Sequence, residues 1–393
     1  MARRAIIAGA GIAGLSCALA LAKAGFDCAI FERAPALAEY GAGVQLPPNA
    51  TRALDAIGVL EAVRARASEP QAINLIRGRD GARLARLPIG GAEPRWGAPW
   101  LAIERAALQG ALAEAAAGTP GIALSFGAEV AGVGAADGGV VAGVKRGLLT
   151  TREAGDLLVG ADGLRSLARE RLGLGERGAA RFSGRVAFRA LIDAGDVDAA
   201  WREPAVALHL GPRAHLVAYP VREASFVNVV AVVQSDRREL AGGDAWDGEA
   251  DAAMLRRAFA RWSAPTRALI AAGDWRAFPL YDRPALDSLA HGGVALVGDA
   301  AHPMLPFLAQ GAAQAIEDAA ALGAALTGAR DIAAALALWS ATRAPRAARV
   351  QRQSLAQARL YHLGGPLALA RDLALRALGP ERLLARYDWL YRG

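Results

Sequence analysis

Apolar positions along the chain follow two rhythms. Short, continuous apolar runs end at a glycine or an acid: Ala5-Ile6-Ile7-Ala8 before Gly9, Cys28 to Phe31 before Glu32, Leu157-Leu158-Val159 before Gly160, and Gly293 to Val297 before Gly298. Such runs, bounded by turn residues, predict buried strands. Ala-rich stretches read as helices: from Gly11 to about Ala24, with Gly25 as its stop, and over 106–117 and 319–337. Between 181 and 276 the rhythm changes. Val206–Leu210, His215–Val221 and Phe226–Gln234 are rich in Val and aromatics and predict strands, the first two joined by the turn Gly211-Pro212-Arg213-Ala214. Residues 346–393 read as helical, broken at Gly364-Gly365-Pro366, and no internal repeat is present.

Three predicted strands run straight into a loop and then a helix. The first loop, Gly9-Ala10-Gly11-Ile12-Ala13-Gly14, is a G-x-G-x-x-G fingerprint. Its first glycine allows the tight turn, its second admits a pyrophosphate, and its third lets helix and strand pack closely. An acid ending the next strand suits two ribose hydroxyls. Glu32 stands there, and its charge would repel a 2′-phosphate, so the pattern points to FAD or NAD. A lone fingerprint arises by accident in a Gly-rich chain; here the strand, helix, second strand and acid all fall in place. The second loop is Gly160-Ala161-Asp162-Gly163, followed by a short basic helix with Arg165 and Arg169. In the third, Gly298-Asp299 leads through Pro303 and Pro306 to Gly311-Ala312-Ala313, which opens an Ala-rich helix. Helix N-termini carry unpaired N–H groups and partial positive charge, so they suit anions. Small residues there let a flat ring approach the backbone.

With these three segments in order, the chain resembles the single-component FAD-dependent aromatic hydroxylases, the para-hydroxybenzoate hydroxylase class. Within that class it is most similar to the salicylate hydroxylase, 3-hydroxybenzoate 6-hydroxylase and 6-hydroxynicotinate 3-monooxygenase branch. The resemblance covers nearly the whole chain. Gly41-Ala42-Gly43-Val44-Gln45-Leu46-Pro47-Pro48-Asn49-Ala50 resembles the loop that runs past the flavin ring. Arg105 stands where the family places an FAD-contacting arginine, commonly after a His; Glu104 takes that preceding place, so only the Arg is carried over. Trp339, Arg343, Arg346 and Gln351 match a C-terminal helical pattern, and Tyr387-Asp388-Trp389-Leu390-Tyr391 resembles the closing motif.

The resemblance implies an α/β protein: a Rossmann-like FAD-binding fold of the glutathione-reductase type, an interleaved strand-rich substrate domain and a C-terminal helical segment. The FAD domain would use residues 1–70, 98–180 and 277–345, the substrate domain 71–97 and 181–276, and the helical region 346–393. Gly9, Gly11, Ala13, Gly14, Glu32 and Arg33 would hold the adenosine and pyrophosphate, with Asp162 ordering the pyrophosphate side. Asp299 would bind the ribityl chain. Gly43, Val44, Gln45, Arg105, Pro306, Gly311 and Ala312 would surround the flavin. Pro303 and Phe307 would line the reaction face. Reduced flavin is anionic at its pyrimidine edge, and the helix N-terminus near Gly311 would favour it by up to ~2 kcal/mol. No second fingerprint serves a nicotinamide. In this class NADH or NADPH is a transient co-substrate without its own Rossmann domain, so Glu32 does not tell them apart.

Composition narrows the partners. At 393 residues and 54% hydrophobic, the chain can bury about 75% of its unfolded surface. Net charge is +7 and the pI about 10.0. The arginines are scattered, with no dense run or aromatic interleaving, which argues against nucleic acid. A positive field instead steers anionic FAD, nicotinamide cofactor and an aromatic acid inward. Cys17 and Cys28, the only cysteines, form no metal or redox motif and suggest a reducing compartment. No metal-ligand spacing appears. The Ala5–Ala24 run is about long enough to cross a membrane, but glycines at fingerprint spacing favour a nucleotide fold and no stable membrane insertion. With no leader pattern, a cytoplasmic protein is expected; a homodimer stays open.

In the resembled class, NAD(P)H reduces the flavin, O2 gives a flavin hydroperoxide, and its distal oxygen hydroxylates a small phenolic or hydroxy-heteroaromatic acid, with or without decarboxylation. A phenolate reacts faster than a phenol, so a base is needed, and histidine suits it. The chain has five: His209, His215, His291, His302 and His362. His302, after Gly298-Asp299, reads as a brace of the FAD loop; His291 precedes a Gly-Gly turn, and His362 lies in the helical region. The period of two puts His215, Val217 and Tyr219 on one strand face. The resembled branch places a His and a Tyr at this spacing, just before Pro-Val, over the substrate. His215 and Tyr219 are therefore the expected catalytic and substrate-binding pair. A satisfied core histidine is the plain alternative, and His209 the reserve base if the turn preserves its side. A flavin epoxidase on the same fold and a non-catalytic flavin-binding protein remain as other readings. The halogenase W-x-W-x-I-P signature is absent.

Overall fold

The computed structural model describes residues 3–37, 42–136, 138–174, 180–235, 248–249 and 252–392; Gly41 of the flavin-loop segment lies outside them. The apolar runs pair side by side in a six-stranded sheet. Its order is Ala290–His291, Val294–Leu296, Leu157–Gly160, Arg3–Ala8, Phe26–Glu32 and Ile122–Phe126, parallel except for the first pair. Parallel strands need both faces covered. Ile7 lies against Gly14 of the helix Ile12–Lys23, while Ile6 lies against Gly155 of a three-stranded sheet formed by residues 129–155. Consecutive side chains thus serve opposite faces, which is why no polar position interrupts these strands. Cys17 and Cys28 are both buried in this layer.

The helix Gly311–Leu326 packs along Ile12–Lys23. They approach closely at Gly323, where an added Cβ would stand 2.7 Å from the Ala20 carbonyl oxygen. The stretch at 319–337 is not one helix. It breaks at Thr327-Gly328, where Gly328 takes φ 69°, and the chain re-enters a helix at Ile332.

The second sheet has eight strands: Gly248–Glu249, Arg276–Asp282, Arg181–Asp193, Phe226–Gln234, Ala214–Val221, Ala205–Gly211, Ala72–Arg77 and Arg83–Pro88. One face packs on the helices Ala252–Phe259 and Ala264–Ala272 through Leu216, Val229, Leu255 and Phe259. The other faces the first domain and the C-terminal helices. Two expected boundaries shift. Arg276–Asp282 pairs with Arg181–Asp193 and belongs to this sheet, not to the FAD domain. The division at 345/346 falls inside one helix, Ile332–Tyr361, which runs through Pro345. The helix Gly365–Ala385, kinked at Gly379, and the short Asp388–Tyr391 follow. Among the described residues no helix is long and apolar enough to cross a membrane; the Ala5–Ala24 run splits into a strand and a twelve-residue helix.

Gly323→Leu should wedge the Ile12–Lys23 and Gly311–Leu326 helices apart. Overpacking of this kind costs about 1–3 kcal/mol, so the thermal midpoint should fall clearly below that of the unsubstituted protein. An unchanged midpoint would show that the two helices do not approach at this position.

Candidate active site

A cleft of about 480 Å³ runs along the C-terminal ends of the parallel strands and meets the eight-stranded sheet. Its far end is the fingerprint loop. Gly9 takes φ 101°, and a Cβ there would lie 2.7 Å from the Ala161 carbonyl oxygen. Gly14 has even less room: a Cβ would come within 1.9 Å of the Gly9 carbonyl oxygen, so this glycine serves packing and does not line the cleft. Gly11 does line it, and a Cβ there would meet nothing within 4 Å; the same holds for Gly311. These open flanks leave room for a ligand lying against backbone.

Glu32 is oriented by the loop it serves. Its two oxygens accept from the Ala10 and Ala34 N–H groups at 2.8 and 2.9 Å. Arg33 and Ala13 also line the cleft. Asp162 caps the short helix with one oxygen, accepting from Leu167 N at 2.7 Å and Ala168 N at 3.1 Å. Its other oxygen is buried without a partner, beside the cleft. In the middle lie Gly43, Val44 and Gln45, on a strand paired with Leu101–Glu104, together with Arg105, Asp299, Pro306, Gly311 and Ala312. Gly43 has no room for a side chain, since a Cβ would meet Asn228 and the Tyr219 hydroxyl at 2.7 Å. Glu104 turns away from the cleft and pairs with Arg222. The helix beginning at Gly311 has no side-chain cap, so its first N–H groups remain available.

The cleft joins an inner, mainly apolar cavity of about 150 Å³, and Gln45, His215, Val217, Pro306 and Ala309 line both. His215, Val217 and Tyr219 face the cleft together, as the strand period predicts. His215 is packed by Phe307 and Tyr361, with ring centroids 5.0 and 5.3 Å away. Its Nδ1 lies 2.9 Å from Nε2 of His362. Burial, then His362 and Arg185, push the His215 imidazole well below its ordinary value. Burial, then Arg185 and Arg371, push His362 down to about 3. Burial holds the Tyr219 hydroxyl above the usual phenol value, against the pull of Arg189.

Two expectations change here. His209 pairs in register with Leu216, so it shares that residue's face and not that of His215. It sits behind the sheet, 3.3 Å from Thr266 and with its ring centroid 5.2 Å from that of Trp201, where burial lowers it to about 4. It does not reach the cleft and is withdrawn as the reserve base. Pro303 lines neither cavity; its carbonyl accepts from Gln351 at 2.9 Å, and Pro306 and Met304 take the cleft wall instead. Phe307 lines the inner cavity.

Several lining residues escaped the sequence reading. Arg189 lines the cleft with no hydrogen-bond partner at its buried Nε; a lone arginine inside Val186–Leu191 was the available signal. Tyr361, Tyr387 and Tyr391 line the inner cavity from the C-terminal helices, and nothing local in their sequence marks this.

A buried ionic cluster holds the floor of the cleft. Asp318 accepts from Arg343 at 2.8 Å and from the Gly298 N–H at 3.0 Å, and lies 2.6 Å from His302 Nε2. Burial raises this carboxyl, but His302, Arg343 and the Gly298 N–H more than offset that and bring it to about 2. Glu317 binds Arg343 at 2.7 Å and Arg346 at 2.5 and 2.9 Å, and also accepts from Asn49. Arg346 continues to the Leu390 carbonyl at 2.8 Å.

The comparisons with known proteins agree with this geometry. The family model described as "FAD binding domain" matches residues 3–354. The 3-amino-4-hydroxybenzoate 2-monooxygenase PtnB3 of Streptomyces platensis is 38% identical, over 99% of this chain and 95% of its own length. The 3-hydroxybenzoate 6-hydroxylase of Polaromonas naphthalenivorans is 34% identical, over 98% and 95%. Klebsiella pneumoniae HpxO, solved with FAD and uric acid, superposes with a TM-score of 0.87 at 28% identity, covering 99% of this chain and 96% of that one. The chain belongs to the FAD-binding domain family and is, within it, an FAD-dependent aromatic monooxygenase. The open flanks at Gly11 and Gly311, the orphaned Asp162 oxygen and the uncapped helix all fit FAD.

Asp318→Asn should strip a charge from buried His302 and Arg343. Breaking one side of a buried pair costs about 3–5 kcal/mol, which denaturant unfolding would register. Acid should also weaken the fold. His209, His215 and His362 all have lowered folded values, so the unfolded chain binds more protons once the pH drops below about 6.5. Stability should therefore fall from about pH 6.5 toward pH 3, and His209→Gln should flatten the upper part of that fall, read as midpoints across a pH series.

Proposed function

We propose that this monooxygenase hydroxylates the ring of a small phenolic or hydroxy-heteroaromatic acid, using NADH or NADPH and O2, with His215 as the base for the ring hydroxyl. The observation that carries this reading is the junction of the two cavities at His215. A long polar cleft of the right composition for a dinucleotide opens there into a small apolar pocket. The named relatives act on 3-amino-4-hydroxybenzoate and 3-hydroxybenzoate, both phenols with a carboxylate.

When bound, FAD would carry electrons from NAD(P)H to O2 and deliver one of the O2 oxygens to the ring. The chain's own residues do the rest. Phe307, Tyr361 and Val217 offer flat apolar walls that hold an aromatic ring and exclude water. With its Nδ1 engaged by His362, His215 keeps Nε2 for the ring hydroxyl. Tyr219, on the same strand face, stays protonated and can donate a hydrogen bond to an oxyanion. Arg189 and Arg105 give the cleft positive charge, which suits an aromatic acid and the anionic reduced flavin. Pro306 stands at the boundary of the two cavities, and Gly43 lets the Tyr219 hydroxyl approach the Gly43–Leu46 strand. A cytoplasmic location is part of this proposal, supported by two buried free cysteines and by dependence on NAD(P)H.

The purified protein should be yellow, and a hydroxybenzoate or hydroxynicotinate should stimulate NAD(P)H oxidation with formation of hydroxylated product. A colourless protein that takes up no FAD would refute the reading. His215→Phe should still reduce its flavin but lose about 10²-fold or more in product formation; coupling equal to the unsubstituted protein would exclude His215 as the base.

A further inference from the structure

One face of the eight-stranded sheet floors both cavities, and its side chains change character from strand to strand. Directly paired residues form a row across that face: Arg189, Val230, Val217, Leu208 and Leu75. Arg189, Val230 and Val217 line the cleft, whereas Val217, Leu208 and Leu75 line the inner cavity. Val217 and His215, on one strand, stand at the divide. On the cleft side Arg189 has Arg105 near it; on the other side the floor is aliphatic. At about 4.8 Å between neighbouring strands, Leu75 lies ~10 Å beyond Val217.

The roof over that aliphatic half comes from the C-terminal helices, through Leu375, Leu383 and Leu384. The polar groups at its rim are already engaged. Arg371 donates to Asp372 and to the Leu360 and Tyr361 carbonyls. Gln357 bonds the Tyr361 and Tyr387 hydroxyls, and Arg386 is exposed. Among the described residues of this lining, Trp100 Nε1 is the one buried side-chain donor without a partner. A strongly polar guest would therefore lose its water with little in return. Close-packed interiors keep few voids of this size. An apolar cavity of about 150 Å³ stays dry and admits a benzene-sized group.

Resting on the reading of this site as hydroxylating a phenolic acid, we propose that the preferred substrate also carries an apolar substituent, seated in the inner cavity. Its size is roughly three to six carbons, up to a phenyl ring. The reacting ring lies at the divide, beside His215 and Tyr219, with its acidic group on the Arg189 side. A bare hydroxybenzoate placed so covers Val217 and leaves the floor over Leu208 and Leu75 uncovered. A substituent pointing away from Arg189 fills that space. Leu208 on the floor and Leu375 in the roof are then specificity-determining residues. Each methylene buried there strengthens binding about fourfold.

The probes are 3-hydroxybenzoate and the same acid bearing methyl, propyl or phenyl at ring position 4 or 5. Each is titrated into the oxidised, FAD-loaded protein and followed by the change in flavin absorbance. Binding is read because a substituent on the carbon to be hydroxylated would block turnover without blocking the cavity. From the bare acid to the propyl or phenyl acid, the dissociation constant should fall about tenfold or more at one of the two positions. Leu208→Trp and, from the opposite wall, Leu375→Trp fill the cavity, and in both the ratio of the two constants should collapse toward one. Equal constants across the series, with 3-hydroxybenzoate still stimulating NAD(P)H oxidation, would overturn the apolar substituent and leave the hydroxylase reading standing. A ratio unchanged in both tryptophan variants would overturn the assignment to this cavity. If no acid of the set perturbed the flavin or stimulated NAD(P)H oxidation, both readings would fall together. Should a tryptophan variant fail to fold, the series on the unsubstituted protein decides.

Discussion

The buried carboxylate pair Glu317–Asp318 is the constraint on which the cleft depends. Two acids on one helix turn, both deeply buried, are tenable only with cations and N–H groups around them. Arg343 and Arg346 from one helix, and His302 and the Gly298 N–H from one loop, supply these. The strand–loop segment at Gly298-Asp299, the helix from Gly311, the long helix Ile332–Tyr361 and the carbonyls of the C-terminal turn are thereby held in one arrangement. The contact from Asn49 brings in the helix after the Gly43–Leu46 strand as well. Apart from the Pro48–Ile57 helix, each of these segments lines the cleft or the inner cavity. The cleft is thus held in place by charges that do not line it.

The second constraint is strand parity. On Ala214–Val221, Leu216 and Ala218 enter the core behind the sheet, while His215, Val217 and Tyr219 face the cleft. The sheet is antiparallel here, so His209 follows Leu216 to the back. One imidazole becomes a buried core residue beside Trp201, and another, six residues on, becomes part of the site. Chemistry and packing therefore share a strand without competing for the same side chains. In the three fingerprint loops of the six-stranded sheet, Gly9, Gly11, Gly163 and Gly311 likewise bring backbone to the cleft.

Much of this was legible in the residues. The G-x-G-x-x-G loop, Glu32, Asp162, Asp299 and the helix start at Gly311 are local patterns, because phosphate and ring binding rely on backbone turns that only certain residues adopt. The His215–Tyr219 face needed only a period of two. The misses have equally physical reasons. Pro303 and Pro306 are equivalent in sequence, and only the turn of the loop decides which one meets the cavity. Arg276–Asp282 joins the second sheet because its partner strand, Arg181–Asp193, is nearly a hundred residues away. No local pattern marks Tyr361, His362 or Tyr391 as site residues.

What the amino-acid order determined by itself is the nucleotide fold, the cofactor and the strand face that carries the proposed base. These follow from steric and hydrogen-bonding rules acting within a few residues. What only the tertiary structure decided is the company that base keeps. His362 reaches His215 across 147 residues of chain, and the C-terminal helices close the inner cavity around both. Those contacts arise from the docking of whole helices onto a sheet, driven by burial of apolar faces and locked by the Glu317–Asp318 cluster. Long-range packing of this kind leaves no periodic signal in the segments it joins.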